Sequence, residues 1–327
     1  MLWSFFRCTT IARSRHVSWI ATGFLVLATS SHAMAWGCDG HKTVAYLAFE
    51  RLNSHARTGV VELLRHLPSF PGLSHYCSGD ANIFVDVSTW ADDIRVQKPE
   101  TGSWHFIDLP LGTTIVDPKY CPVPPGCVIT AIQKDVAMLR DANASATDRS
   151  VALMFLIHLV GDLHQPLHDT TNNDRGANCL PVSFFGQQPQ ELANENFKPN
   201  LHAVWDTDLV EKAMAGRSIA DFAAYLDAKY SAPINAWASR TPNVFNWVLE
   251  SHRLASSAVY GKLPVPVALE SPVAVNVCSD DNHVSRRLAS LHEVVDERYF
   301  VSTREVLEVQ LSRAGVRLAV ILNRIWQ

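Results

Sequence analysis

The stretch Phe155-Leu156-Ile157-His158-Leu159-Val160-Gly161-Asp162-Leu163-His164-Gln165-Pro166-Leu167-His168 places ionisable groups inside an apolar run. Its apolar residues recur at three-to-four spacing from Val151 to Leu163, which predicts a packed helix. The run from Val151 to Val160 is well short of the ~20 apolar residues that span a bilayer, so the helix reads as buried in protein rather than in lipid. His158 and Asp162 are four residues apart and share one face, which the neighbouring Leu, Ile and Val bury. Buried ionisable groups need partners. Two readings are open for this pair, a satisfied His–Asp hydrogen bond or part of a metal site. Pro166 cannot continue the helix, which lets His168 turn towards a different position. His164 points elsewhere and reads as a supporting or structural histidine.

Working outward, helical spacing also marks His41 to Leu52, Val128 to Leu139, Ile219 to Tyr230, Val244 to Tyr260 and Val301 to Ile325. The last is expected to start behind Ser302, with Glu305 three residues on as a capping box. Loops are expected over Pro68 to Gly79, Leu109 to Gly126, Thr170 to Pro199 and Leu263 to Val277, and the third is long enough to be a functional surface loop. With 47% apolar and 18% charged residues, the chain falls outside the collagen-like and disordered classes. Its 15 Gly and 17 Pro are too few for a turn-dense all-β protein. An all-α fold follows.

Residues 1–35 resemble a leader: Arg7, Arg13 and Arg15 precede an apolar run from Trp19 to Ala28, and Ala33-Met34-Ala35 offers a signal-peptidase site. The mature chain would begin at Trp36, leaving 36–327 as a single domain and the protein secreted or periplasmic. Cys8 leaves with the leader, so Cys38, Cys77, Cys121, Cys127, Cys179 and Cys278 remain as an even set suited to disulfides. Cys121 and Cys127 flank Pro-Val-Pro-Pro-Gly and could close a small loop, but six cysteines leave the pairing open. Removing three arginines and no acid takes the formal charge from -4 to -7, so no basic footprint for duplex DNA survives.

A second i, i+4 pair, His202 and Asp206, lies in Asn200-Leu201-His202-Ala203-Val204-Trp205-Asp206. Imidazole and carboxylate together suit a divalent ion such as zinc, and helical spacing lets two ligands converge. Two such pairs point to a multinuclear site. Upstream, Trp90-Ala91-Asp92-Asp93-Ile94-Arg95 and Trp104-His105-Phe106-Ile107-Asp108 each set a carboxylate or imidazole beside large aromatics, where a metal would compensate a costly charge. A salt bridge between Asp92 and Arg95 within one turn is the simpler alternative for the first of these.

These motifs, together with Trp36-Gly37-x-x-Gly40-His41 and the closing Arg313-Ala314-Gly315-Val316-Arg317-Leu318-Ala319, resemble in order the signature of the S1/P1 family of secreted zinc-dependent single-strand nucleases. The resemblance implies three Zn²⁺ ions at the base of a cleft. Asp92, His105, His158 and Asp162 would hold the first; Trp36, His41 and the shared Asp162 its neighbour; and His168, His202 and Asp206 the third. Trp36 would contribute its terminal amino nitrogen and its carbonyl, so leader removal would complete the site. Two divalent ions about 3.5–4 Å apart make water acidic near neutral pH and aim it in line at phosphorus, while the third would steady the leaving oxygen.

By the same resemblance the reaction is phosphodiester hydrolysis of single-stranded DNA and RNA to 5′-phosphate products. Arg95 would neutralise phosphoryl charge, Asp108 would orient the attacking water or contact the nucleotide, and Phe106 would stack an unpaired base. The loop Asn172 to Asn178 sits where relatives carry a Gly-Gly-Asn stretch near the nucleotide. Ala177 breaks that match, and Asn178 is retained as a substrate contact. No lysine after Asp108 matches the phosphate-binding lysine of some relatives, a departure that bears on 3′-nucleotidase activity. A zinc phospholipase C, with a similar three-metal helical architecture, is the enzymatic alternative. A zinc-storage protein would have no use for Arg95 and Asp108.

Overall fold

The computed structural model describes Met1 and residues 36–273, 275–280 and 283–327. Except for Met1, the expected leader lies outside the described residues. The helices are α1 (Cys38–Phe49), α2 (Ser54–Leu63), α3 (Ile83–Asp86), α4 (Trp90–Ile94), α5 (Val128–Arg140), α6 (Ala146–Asp162), α7 (Leu201–Ala203), α8 (Leu209–Met214), α9 (Ile219–Lys229), α10 (Ser231–Ser239), α11 (Val244–Leu254), α12 (Val284–Ala289) and α13 (Glu297–Ile325). Among the described residues the β-strands are two-residue pairings, Ser183–Phe184 parallel to Val294–Val295 and Gln190–Glu191 antiparallel to Phe197–Lys198, with three isolated bridges beside them. The protein is all-α, as expected, and the long Thr170 to Pro199 segment is loop apart from these short pairings and one helical turn at Ala193–Glu195. Among the described residues, no helix is long and apolar enough to cross a membrane.

Apolar side chains gather in two clusters. One is built from α2, α5, α6 and the Phe84–Ile94 region, the other from α8, α9 and the 177–182 and 201–205 segments. Two helices feed both clusters. On α1, Ala45 and Ala48 face the first while Val44 and Leu47 face the second; on α13, Leu318 and Leu322 serve the first and Leu307 and Leu311 the second. A helix apolar on two faces must be covered on both, which makes α1 and α13 the seam of the molecule. His41 of α1, His158 and Asp162 of α6 and His202 of α7 lie along that seam.

Helix α6 is capped by Ser145, whose Oγ accepts the Asp148 amide at 3.0 Å. It is buried from Ala152 through Asp162 and ends there, four residues before Pro166 opens a tight turn, Pro166–Asp169. The expected cap at Ser302 does not form. Helix α13 starts at Glu297, where Asp296 Oδ1 accepts the Tyr299 amide at 3.1 Å, and Ser302 Oγ instead donates to the Tyr299 carbonyl inside the helix at 2.8 Å. Asp296 supplies a cap that allows Tyr299 and Phe300 to be buried from within the helix, and the later motif is overridden. The predicted Val244 to Tyr260 helix is continuous but widens to i→i+5 turns at Ala255–Val259. The six cysteines of the described chain pair as Cys38–Cys77, Cys121–Cys127 and Cys179–Cys278.

Candidate metal centre

Three groups of buried side chains bring ligand atoms together: His41, His158 and Asp162; Asp92, His105 and His158; and His168, His202 and Asp206. His158 is common to the first two, and Asp162 of the first also reaches His105 of the second. Asp162 Oδ1 lies 3.2 Å from His41 Nε2, and its Oδ2 lies 2.9 Å from His105 Nδ1 and 3.3 Å from His158 Nε2. Yet neither Asp162 oxygen, neither His41 nitrogen nor His105 Nε2 has a hydrogen-bond partner among the described residues. Buried polar atoms that crowd together without pairing incur the cost of desolvation and recover nothing, unless a cation sits between them.

The tautomers make the same point. His158 Nδ1 lies 2.8 Å from the Ser88 carbonyl, His168 Nδ1 2.8 Å from the His105 carbonyl, and His202 Nδ1 2.5 Å from the Gly176 carbonyl. A carbonyl only accepts, so each Nδ1 carries the hydrogen and each neutral ring turns an Nε2 lone pair inward. The Nε2 atoms of His168 and His202 then face each other at 3.1 Å. Two lone pairs at that separation repel; a shared cation reverses the sign.

Charge follows the same logic. Burial alone would push the Asp162 carboxyl up, but His158 and the surrounding imidazoles overcome it and hold the acid well below the usual range. Asp92, also buried, is pulled down by His158, His105 and Arg95. Without a cation, Asp162 and Asp92 outweigh the burial of His158 and push it up to about 9, so its Nε2 then carries a proton that a bound cation would displace. In the third group burial dominates: it drives His202 down to about 3, with help from the His168 charge, and pushes Asp206 well above the carboxylate range. A divalent cation would let Asp206 ionise at neutral pH.

Local folding explains the placement. Gly161 lets His41 approach α6, since a Cβ there would lie 2.9 Å from His41 Nδ1. Trp36 is fully buried beside this pair, its Cβ against Gly40 and its ring near Gly161. His202 and Asp206 straddle the junction of α7 with the widened Val204–Asp208 turns, a local distortion common at functional sites. Their side chains stay 3.3 Å apart. Asp206 is further held by Gln165, whose Nε2 donates to Oδ1 at 2.6 Å. Gln165 escaped the sequence reading, although its place between His164 and Pro166 was the available signal. His164 is structural: its Nδ1 donates to the Val160 carbonyl and its Nε2 accepts from Arg317 at 2.8 Å.

The chain belongs to the S1/P1 nuclease family. The family model matches residues 36–327, the whole segment that carries these ligands. The chain is 26% identical over 305 residues to nuclease P1 of Penicillium citrinum, an alignment covering 89% of this chain and 97% of that one. It is 26% identical over 315 residues to nuclease S1 of Aspergillus oryzae, covering 91% and 94%, and 27% identical over 322 residues to endonuclease 4 of Arabidopsis thaliana, covering 94% and 95%. As a member of the S1/P1 family the chain is a metal-dependent hydrolase, a phosphodiesterase acting as an endonuclease on single-stranded DNA and RNA. The phospholipase alternative is not favoured by these relationships.

Around the metal groups of this S1/P1 nuclease, Arg95 Nη1 donates to Asp92 Oδ1 at 3.1 Å, so the short-range salt bridge weighed from sequence is present. Asp108 is open to solvent but walled by protein; that enclosure and the Asp174 charge push its carboxyl up to about 6, against the pull of Arg175. Phe106 is half-buried between the buried His105 and Ile107. Asn178 turns into its own loop, donating through Nδ2 to the Arg175 carbonyl at 2.8 Å.

Proposed function

We propose that this S1/P1 nuclease is an exported enzyme with three Zn²⁺ ions, held by Asp92, His105, His158 and Asp162, by Trp36, His41 and Asp162, and by His168, His202 and Asp206. The single observation that carries the reading is the set of inward lone pairs left unpaired by carbonyl-fixed tautomers, above all the His168 and His202 Nε2 atoms 3.1 Å apart. When bound, zinc supplies Lewis acidity and makes hydroxide available near neutral pH.

The chain's own residues then divide the work. Arg95, anchored on Asp92, offers its guanidinium to the non-bridging oxygens of the scissile phosphate, where negative charge grows during in-line attack. Asp108 receives a hydrogen bond from the attacking water or from the nucleotide, and its open position suits either contact. Phe106 stacks one unpaired base, which a paired and stacked base cannot present, so single strands are preferred. The 3′ oxygen leaves and the products carry 5′-phosphates. Asn178, which braces the 172–178 loop, contacts nucleotide through its remaining amide oxygen. The leader 1–35 and the three disulfides support a secreted or periplasmic location, with Trp36 as the mature terminus.

Purified chain beginning at Trp36 and loaded with zinc should cut denatured DNA and RNA faster than duplex DNA, leave 5′-phosphate ends, and spare phosphatidylcholine vesicles. Lipid hydrolysis without nucleic-acid cleavage, or zinc-loaded protein inert on both, would overturn the reading.

A further inference from the structure

The loop from Asn172 to Asn178 is tied down on every side. Asp174 Oδ1 accepts from the amides of Asn172 at 3.1 Å and Ala177 at 3.0 Å, and its Oδ2 accepts the Tyr260 hydroxyl at 2.8 Å. Asn172 and Asn173 donate to the carbonyls of Ala268 and Ser271 and accept the amides of Glu270 and Val273. The Cys179–Cys278 disulfide locks the adjoining residues. Through Gly176, whose carbonyl fixes His202, the loop is built into the third ligand group. A Cβ at Gly176 would lie 2.4 Å from the Leu167 carbonyl, so only glycine fits there.

Arg175 is the exception in this bound-up loop. It is exposed, its backbone is left-handed at φ 57°, and among the described residues its guanidinium has neither an ion pair nor a hydrogen bond. Left-handed arginine is disfavoured relative to glycine or asparagine, and the surrounding bonds hold the residue in that conformation. The residue stands beside the third ligand group: the carbonyl of its chain neighbour Gly176 lies 2.5 Å from His202 Nδ1. Arg95, the other cation at the proposed site, is paired with Asp92 at 3.1 Å, and the chain as a whole has a formal charge of -4.

We propose that Arg175 is a substrate-positioning residue that grips a nucleic-acid backbone phosphate next to the scissile one. A planar guanidinium on a rigid loop can meet two phosphate oxygens at once, and its preset orientation reduces the entropy lost on binding. The phosphate it holds belongs to the strand beside the third ligand group, because Gly176, its neighbour in the chain, fixes His202. This inference rests on the nuclease reading and deepens it.

The test compares zinc-loaded wild type with Arg175→Gln and Arg175→Lys, using anisotropy of a fluorescent single-stranded phosphorothioate oligonucleotide across a sodium chloride series, alongside KM, kcat and zinc content. In Arg175→Gln, affinity should fall about tenfold and the slope of log K against log salt should shrink by about 0.7. KM should rise more than kcat falls, while zinc content holds. Arg175→Lys should keep the salt slope and lose part of the affinity. An unchanged slope and Kd in Arg175→Gln, with wild type cleaving normally, overturns the inference and leaves the nuclease reading intact. Loss of zinc in parallel with affinity also overturns it, since Arg175 would then only support the loop. If wild type does not cleave yet binds the oligonucleotide through Arg175, the nuclease reading fails and the phosphate contact stands.

Discussion

Asp162→Asn removes one charge from the middle of the proposed metal centre while keeping its shape. The carboxylate stands within 3.3 Å of His41, His105 and His158, so it reaches histidines of two groups, and in the proposed zinc arrangement it serves both. Changes to residues that merely support a metal ligand cost about 10–100-fold in metal affinity, which makes 100-fold, about 2.7 kcal/mol, a lower bound for a direct ligand. Because both groups lean on the same side chain, that loss applies twice. The amide would also bring an N–H donor among imidazole nitrogens. Zinc per chain, measured by elemental analysis after gel filtration in micromolar zinc, should drop from about three to about one, and kcat/KM by at least about a thousandfold. Asp206→Asn touches one group only and should retain about two ions. Asp162→Asn protein that keeps three ions, or loses just one, would refute the shared-ligand reasoning.

Three further outcomes are expected. Extending the mature chain by one residue before Trp36 should lower zinc content and activity together, because a peptide nitrogen cannot replace the terminal amine; equal zinc in extended and authentic protein would remove Trp36 from the ligand set. Phe106→Ala should raise KM for single strands by about 10–100-fold, in line with about 1–3 kcal/mol per stacked base, and narrow the preference over duplex; an unaltered KM assigns the ring to packing. Burial pushes Glu293, far from the ligands in sequence, up to about 7 from an ordinary 4.5. The folded state therefore holds a proton that the unfolded chain has already released between those values, and stability declines as pH rises through that window. Glu293→Gln should gain roughly 1–3 kcal/mol at pH 8 and almost nothing at pH 4.5; urea denaturation at the two pH values measures the difference.

Much of the centre was legible because helical geometry is local. His158 with Asp162, and His202 with Asp206, must share a face at four-residue spacing, and Pro166 must end the helix before His168. Short-range rules also misled. Ser302 with Glu305 satisfies a capping motif, yet Asp296 starts the helix earlier, since tertiary burial of Tyr299 and Phe300 outweighs a surface cap. Arg175 lies in the loop from Asn172 to Asn178 and carries no local signal of its own, because exposure and a missing partner are facts of the folded state.

Taken alone, the amino-acid order determined the helical class, the ligand types, the even cysteine set and the ordered motifs of the family, all of which depend on residue chemistry and short spacings. Which cysteines join, and which imidazole nitrogen faces inward, was decided only in three dimensions. Ser88, His105 and Gly176 lie 70, 63 and 26 residues from the histidines whose protons they place. No local pattern encodes a partner at such distances. The packing of the two apolar clusters against α1 and α13 brings those carbonyls into reach and gathers separate motifs into one cluster of candidate cation ligands.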